Sequence, residues 1–215
     1  MNSKQQCSNL TFWGAGTART IRPIWVAEEL GLSYELKPIG PRTGETQTKE
    51  YTELNPKQKV PFCMDGDLKL SETIAICRYL INKYGSTGAL QTPGTIEAQA
   101  KEDEWLAFIY GELDETSLYV MRRHGALASI YGEAPAAVEA AGAYVKRQLN
   151  VIHKHMRGRE YVLNESFSLS DIFLTTCLNW VNAYEIELES ELEQYRVRIV
   201  QRKAYIKANK VNQQK

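Results

Sequence analysis

The chain has 215 residues, enough for one large domain or two small ones, and 43% of them are hydrophobic. Basic and acidic residues both number 26, so no overall charge favours nucleic acid or a membrane surface as a partner. No apolar run has the length of a membrane span, and residues 1–10 lack the apolar core of a signal peptide. The four scattered cysteines form no Cys-x-x-Cys pair, which argues against a zinc site or redox dithiol and favours the reducing cytoplasm.

The N-terminal part of the chain, residues 8–85, predicts a compact α/β domain. Hydrophobic periodicity predicts a strand, a helix, a strand, a short helix, a hairpin and a helix in that order. The predicted ranges are 9–13, 17–30, 33–39, 48–54, 60–64 with 68–70, and 71–83. Asp65-Gly66 is the turn signal between the two hairpin strands.

The rest of the chain predicts helices alone. Residues 86–94 contain glycine and proline and predict a linker to an all-helical domain at residues 95–210. Its amphipathic stretches predict helices at residues 95–123, 135–157, 168–183 and 191–208. Ser168 and Asp171 form a capping pattern at the third of these helices, so we assign them to folding. His153 and His155 cannot share one helix face, and no metal site is predicted.

Two short segments carry the functional signal. A proline at the start of a strand, here Pro61, leaves the N–H and C=O of Val60 free to pair with a peptide-like ligand. Glu72 and Thr73 open the next helix, where a carboxylate, a hydroxyl and free N–H groups can hold an amino-acid head. A small peptide such as glutathione fits both segments. The alternative for the second segment is helix capping alone, by Ser71 or Thr73.

With this organisation the chain resembles the cytosolic glutathione transferases over nearly its whole length. The matching segments, in family order and spacing, are residues 25–35, 54–61, 65–66, 70–76 and 167–171. The resemblance implies a thioredoxin-like α/β N-terminal domain followed by an all-α helical C-terminal domain. It also implies glutathione as co-substrate without a metal, a small electrophilic second substrate and a homodimer. The N-terminal motif is theta-, zeta- or beta-like, as in bacterial and fungal members, and the exact class stays open.

The resemblance also gives roles to the residues of the two segments. It implies a cis peptide bond between Val60 and Pro61, with the backbone of Val60 paired to the cysteinyl unit of glutathione. Glu72 and Thr73 fall where the family holds the γ-glutamyl head, although threonine replaces the more usual serine. The glycyl carboxylate would be approached by one of three neighbouring side chains: Lys59 or, as alternatives, Lys57 or Gln58.

A transferase must stabilise the glutathione thiolate, because a thiol with a pKa of about 8.5 is only a few per cent ionised at neutral pH. In the family the stabilising group follows the first strand. Thr17 falls at the serine position of theta- and zeta-like members and is our first candidate, with helix N-capping as the alternative. Arg19 falls at the cysteine position of beta-like members, where it is either a fixed charge or a surface residue. Thr20 is the third candidate.

These features together predict a detoxifying glutathione transferase that acts on a small electrophile. Residues 18–20 resemble a Ser-Arg-Ser pattern of fungal and bacterial members whose first serine is lost, which leaves a non-catalytic glutathione-binding protein open. A glutathione-dependent isomerase, dehalogenase or ether-cleaving lyase on the same fold is also open. The acceptor pocket is expected between the domains, at the 14–17 loop and the 105–121 helix. The alternative for the aromatic stripe of this helix is core or dimer contact, which is the usual role of such a stripe.

Overall fold

A computed structural model describes residues 9–85, 90–163 and 166–214, and the chain forms two compact units. The first unit extends to Thr92 and resumes at Gln201, and the second is Pro93–Val200. This division differs from the predicted domains at residues 8–85 and 95–210, since the C-terminal helix belongs to the first unit. Cys7 and residues 86–89 of the predicted linker lie outside the described residues.

The first unit contains a four-stranded mixed sheet with the strand order β2-β1-β3-β4. The strands are β1 (Leu10–Trp13), β2 (Glu35–Lys37), β3 (Phe62–Asp65) and β4 (Leu68–Ser71). Strand β2 is parallel to β1, whereas β3 is antiparallel to both β1 and β4. The predicted α/β order is confirmed. The hairpin turn falls on Gly66 and Asp67 rather than on Asp65-Gly66, because Asp65 still pairs with Leu68.

Among the described residues, the first unit also contains four α-helices. They are α1 (Ile21–Glu29), α2 (Lys49–Leu54), α3 (Thr73–Tyr84) and, beyond the second unit, α10 (Lys203–Asn212). Helix α1 begins at Ile21 and not at the predicted residue 17. The reason is local: the Thr17 hydroxyl accepts the N–H groups of Arg19 at 3.3 Å and Thr20 at 3.0 Å, which shapes a separate turn before the helix.

The second unit is helical, as predicted. Its α-helices are α4 (Ile96–Phe108), α5 (Tyr119–Met121), α6 (Ala128–Tyr131), α7 (Pro135–Met156), α8 (Leu169–Ala183) and α9 (Ser190–Val200). The predicted helix at 95–123 changes to π-helical geometry over Ile109–Leu118 and again over Arg122–Ala126. No helix within the described ranges is long and apolar enough to cross a membrane.

The prediction of one continuous helix at residues 191–208 is wrong, because two helices, α9 and α10, meet there at a bend. The backbone of Arg202 is extended, with ψ 133°, although the sequence there contains neither glycine nor proline. Tertiary contacts override helix propensity at this point. Arg202 donates to both carboxylate oxygens of Glu29 at 2.7 and 2.8 Å, and Lys207 contacts Glu28 at 2.6 Å. Helix α10 therefore packs against α1 within the first unit.

The folding role predicted for Ser168 and Asp171 is confirmed as a capping box at the start of α8. The fully buried Asp171 carboxylate accepts the N–H and the hydroxyl of Ser168 at 2.9 and 2.8 Å. It also accepts the Val162 N–H at 2.9 Å and the Tyr195 hydroxyl at 2.7 Å. Burial raises the pKa of Asp171 although these four donors oppose the shift. The carboxylate thus joins the start of α8 to the preceding segment at Val162 and to α9 at Tyr195.

Candidate functional site

The residues predicted from distant segments meet where strands β1 and β4 end and the inner strand β3 begins, which we call the sheet edge. In the strand register, Trp13 at the end of β1 faces Phe62 at the start of β3. Phe62 in turn faces Ser71 at the end of β4. The segments that continue from these three residues therefore emerge side by side. They are residues 14–20 after β1, residues 60–61 before β3, and residues 72–73 after β4.

The peptide bond between Val60 and Pro61 is cis, as the family resemblance implied. Val60 lies outside the paired strands. Its N–H and C=O form no backbone hydrogen bond with any described residue. The preceding carbonyl is fixed, because Lys59 C=O accepts the Tyr51 hydroxyl at 2.6 Å and the Asn55 amide at 2.9 Å. A rigid segment thus presents an unpaired backbone unit at the sheet edge.

Glu72 has an unusual backbone at the start of α3, with φ 74° and ψ 120°. A positive φ in a residue other than glycine costs about 1–3 kcal/mol and often marks a functional position. Its carboxylate is 57% exposed and contacts the Lys57 ammonium at 2.7 Å. Thr73 is buried, and no side chain caps α3, so the capping alternative for this segment has no hydrogen bond to support it. The helix start thereby keeps N–H groups for an anion.

The three candidates for the glycyl carboxylate differ in their existing contacts. The Lys57 ammonium is paired with Glu72, and the Gln58 amide donates to the Thr52 hydroxyl at 3.0 Å. The Lys59 side chain is exposed and forms no hydrogen bond or ion pair with any described residue. Lys59 is therefore the candidate whose charge is most available.

The loop after β1 holds the three candidates for thiolate stabilisation. Thr17 is half-buried and its hydroxyl accepts two backbone N–H groups, which leaves the hydroxyl proton available. Arg19 lies half-buried on the same turn. Thr20 is only 1% exposed, and its hydroxyl lies 2.7 Å from the Asn212 side-chain oxygen. Thr20 thus faces the interior of the unit rather than the sheet edge.

Asn212, the last residue of α10, was not predicted as part of this region. Its backbone oxygen accepts the Gly16 N–H at 2.7 Å, and its side-chain amide donates to the Thr17 carbonyl at 3.2 Å. The sequence gives no local signal for this role, because an asparagine at a helix end is ordinary and the contact joins residues far apart in the chain.

The described cysteines take no part in the site. Cys63, Cys77 and Cys177 are buried, and none of the three forms a disulfide. Burial, helped by the charge of Asp65, raises the pKa of Cys63 to about 12, so this thiol stays protonated at neutral pH. No cluster of histidine, cysteine, aspartate and glutamate within the described ranges could hold a metal ion. His155, for example, is occupied by the Val162 carbonyl at 2.8 Å.

Part of the aromatic stripe proposed for the acceptor pocket lies inside the second unit. Ile109 and Leu118 are fully buried. The ring of Trp105 stacks on that of His155, with 3.8 Å between their centroids. These contacts match the alternative interpretation, in which several members of the stripe are core residues.

Comparison with known proteins assigns the family. The model for the glutathione S-transferase N-terminal domain matches residues 8–82, and the C-terminal domain model matches residues 108–203. Glutathione S-transferase 3 of Zea mays is 30% identical over 153 residues, 70% of this chain and 68% of that protein. Glutathione S-transferase theta-1 of Bos taurus is 28% identical over 159 residues, 72% of this chain and 66% of that protein.

Solved structures confirm the predicted fold. A glutathione transferase homolog from Lodderomyces elongisporus with two GSH per subunit gives a TM-score of 0.84 at 20% identity, covering 94% of this chain and 98% of that one. A glutathione transferase family member from Pseudomonas fluorescens with two glutathione bound gives a TM-score of 0.83 at 24% identity, covering 96% of this chain and 95% of that one. With both domain models matched in order and a relative of this similarity, the chain belongs to the glutathione S-transferase family.

Proposed function

We propose that this protein is a glutathione transferase that binds glutathione at the sheet edge and activates its thiol for attack on a small electrophile. The observation that carries the proposal is the meeting of three segments at this edge: the Thr17 loop, the cis Val60-Pro61 segment and the strained Glu72. Each segment offers a different part of the tripeptide a suitable partner.

The binding roles follow from the groups that the three segments present at the edge, where the exposed Glu72 carboxylate exchanges its contact with Lys57 for the ligand. The N–H and C=O of Val60 pair with the main chain of the cysteinyl unit, as an added strand would. The Glu72 carboxylate takes the ammonium of the γ-glutamyl head, and the Thr73 hydroxyl with the first N–H groups of α3 takes its carboxylate. The Lys59 ammonium takes the glycyl carboxylate at the other end.

The thiolate role falls to Thr17. A hydroxyl can accept two N–H groups and still donate its single proton, so shaping the turn and binding a thiolate are compatible. Thr20 is less suited because it is buried and faces Asn212. Arg19 is the alternative, as a fixed charge close to the sulfur. Each pKa unit by which the thiol is acidified corresponds to about 1.4 kcal/mol.

The test combines retention on a glutathione resin with turnover of chlorodinitrobenzene, in which the thiolate sulfur bonds to the ring carbon and chloride leaves. We expect retention and turnover by the wild-type protein. Thr17→Ala should lower kcat by about 10- to 100-fold with little change in glutathione affinity, since it removes one hydrogen bond of about 1.5–3 kcal/mol to a charged group. Thr17→Ser is the matched control and should stay active.

The outcomes separate the rival functions. Retention without turnover would favour a glutathione-binding protein that is not an enzyme. Turnover of a carbonyl substrate or of another haloaromatic, without turnover of chlorodinitrobenzene, would favour an isomerase or a dehalogenase. Failure of the wild-type protein to be retained on the resin would overturn the proposal. An unchanged kcat in Thr17→Ala would move the thiolate role to Arg19.

We also propose that the protein is a cytoplasmic homodimer. The described cysteines form no disulfide, which suits a reducing compartment, and homodimers are usual in the resembled family. Sedimentation velocity measures the assembly directly. A monomer at micromolar concentration would contradict the dimer.

A further inference from the structure

We infer that Asn212 is a positioning residue that keeps the hydroxyl proton of Thr17 available to the glutathione thiolate. The inference rests on the proposed function, because it assigns a partner to the group proposed to bind the sulfur. Asn212 is the last residue of α10, is 7% exposed, and lies within the same unit as the Thr17 loop.

Asn212 holds the loop at three points. Its backbone oxygen accepts the Gly16 N–H at 2.7 Å, and its side-chain amide nitrogen donates to the Thr17 carbonyl at 3.2 Å. Its side-chain oxygen accepts the Thr20 hydroxyl at 2.7 Å. One residue thereby fixes both sides of the turn that carries Thr17.

The direction of the Thr20 proton follows from these contacts. Because the amide nitrogen of Asn212 faces a carbonyl, its oxygen is the atom that faces Thr20, and an amide oxygen can only accept. Thr20 has a single hydroxyl proton, which is therefore directed to Asn212. The Thr17 and Thr20 hydroxyl oxygens are 3.0 Å apart, so Thr20 meets Thr17 as an acceptor rather than as a donor.

This arrangement leaves Thr17 as a donor. Its oxygen already accepts the N–H groups of Arg19 and Thr20, and its own proton points to the Thr20 oxygen when no ligand is bound. A thiolate is charged and accepts a hydrogen bond more strongly than a neutral hydroxyl does. When glutathione binds, the Thr17 hydroxyl therefore donates to the sulfur instead of to the Thr20 oxygen. Without the Asn212 side chain, Thr20 would direct its proton at the Thr17 carbonyl or hydroxyl oxygen, both 3.0 Å away.

The experiment uses the full-length protein and measures the pKa of the thiol of bound glutathione from the ultraviolet absorbance of its thiolate. The variants are Asn212→Ala, which removes both side-chain bonds, and Asn212→Asp, which keeps the acceptor but sets a negative charge near the sulfur. The matched control is Asn209→Ala on the same helix, since the half-buried Asn209 side chain bonds to none of the described residues.

We expect Asn212→Ala to raise the pKa of the bound thiol by about one unit, which is about tenfold less thiolate below that pKa. The glutathione Kd should stay within about twofold of the wild-type value. Asn212→Asp should raise the pKa further, and Asn209→Ala should leave it unchanged. The kcat of Asn212→Ala should fall at low pH and recover at high pH, where the thiol ionises unaided.

A wild-type thiol pKa in both Asn212 variants would overturn the inference, as would an equal loss of kcat at every pH, which is the result of a merely structural role. If Thr17→Ala raises the pKa in the same assay, the proposed function survives that failure. A bound thiol with the pKa of free glutathione in the wild-type protein would instead contradict the proposed function. Should Asn212→Ala not fold, Asn212→Leu, which has a side chain of similar size without a donor or acceptor, provides the same comparison.

Discussion

Glu72 and Gly14 show at the residue scale how the chain shapes the sheet edge where we propose that glutathione binds. Glu72 keeps an exposed carboxylate on a strained backbone, with φ 74°. Gly14 has φ +111°, and a Cβ atom added there would lie 2.5 Å from the Val60 Cβ. The loop after β1 can thus approach Val60 closely only because residue 14 lacks a side chain.

For Glu72→Ala we predict a glutathione Kd about 10- to 100-fold above the wild-type value, because a charge-assisted hydrogen bond of about 1.5–3 kcal/mol is lost. The Tm should change little, since the exposed pair with Lys57 contributes about 0–1 kcal/mol. Isothermal titration calorimetry measures the Kd. Glu53→Ala, an exposed carboxylate on α2, is the control, and an unchanged Kd in Glu72→Ala would refute the assignment.

For Gly14→Ala we predict a loss of about 1–3 kcal/mol in the free energy of unfolding, together with weaker glutathione binding. The added methyl group would push against Val60 and displace the unpaired backbone unit. Gly16→Ala is the matched control: Gly16 also has a positive φ, +77°, but nothing lies within 4 Å of its added Cβ. Urea unfolding and glutathione titration of the two variants would contradict this account if both lost the same affinity.

At the scale of elements, Asp65 joins the β3–β4 hairpin to α3. Its carboxylate accepts the Tyr79 hydroxyl at 2.8 Å, the Lys83 ammonium at 2.7 Å and the Tyr84 hydroxyl at 2.6 Å. Burial would raise the pKa of Asp65, but the hydrogen bonds from Lys83, Tyr84 and Tyr79 outweigh it and lower the pKa. The ionised form is therefore favoured more strongly in the folded chain than in the unfolded one.

This pKa shift predicts a pH dependence of stability. Since the folded pKa lies below the unfolded value of about 4, Asp65 stabilises the fold above about pH 4, and this contribution disappears as the pH falls through the folded pKa. Asp65→Asn should therefore lower the free energy of unfolding at neutral pH and have a smaller effect in acid. Urea titrations at both pH values measure it, with the exposed turn residue Asp67→Asn as control. An effect of equal size at the two pH values would contradict the shift.

Elements set by local signals were predictable from the sequence, and elements set by distant contacts were not. The hairpin and α8 follow from a turn signal and a capping pattern that lie within the elements themselves. The break at Arg202 depends on Glu29, which is remote in sequence. The position of Val60-Pro61 and Glu72-Thr73 at one edge of the sheet was predictable from spacing, whereas the contacts of Asn212 with residues 16–20 were not. The positive φ of Glu72 likewise has no signature in its residue type.

At the scale of the whole molecule, the first unit depends on α10. This helix contributes Arg202 and Lys207 to Glu29 and Glu28, whose side chains are only 6% and 5% exposed. It also places the Tyr205 ring against Trp25, with 4.8 Å between the centroids. Without the helix, two nearly buried carboxylates would lose their cations.

A chain ending at Val200 should therefore lose several kcal/mol of stability, because breaking one partly buried ion pair can already cost about 3–5 kcal/mol. We expect a lower Tm by circular dichroism and loss of retention on the glutathione resin. A chain ending at Gln213 keeps the whole of α10 and is the control. Equal Tm values for the two truncated chains would contradict the dependence.

Because the first unit is built from segments on both sides of the second unit in the sequence, it can be completed only late in synthesis. Helix α1 leaves the ribosome before the second unit is made, and α10 only after it. At about 5–20 residues per second, the interval is on the order of ten seconds. Throughout this interval the Gly16–Thr17 segment lacks its contacts with Asn212, and the Trp25 ring on α1 lacks its contact with Tyr205. Chaperones should therefore stay bound to the nascent chain until α10 has been synthesised.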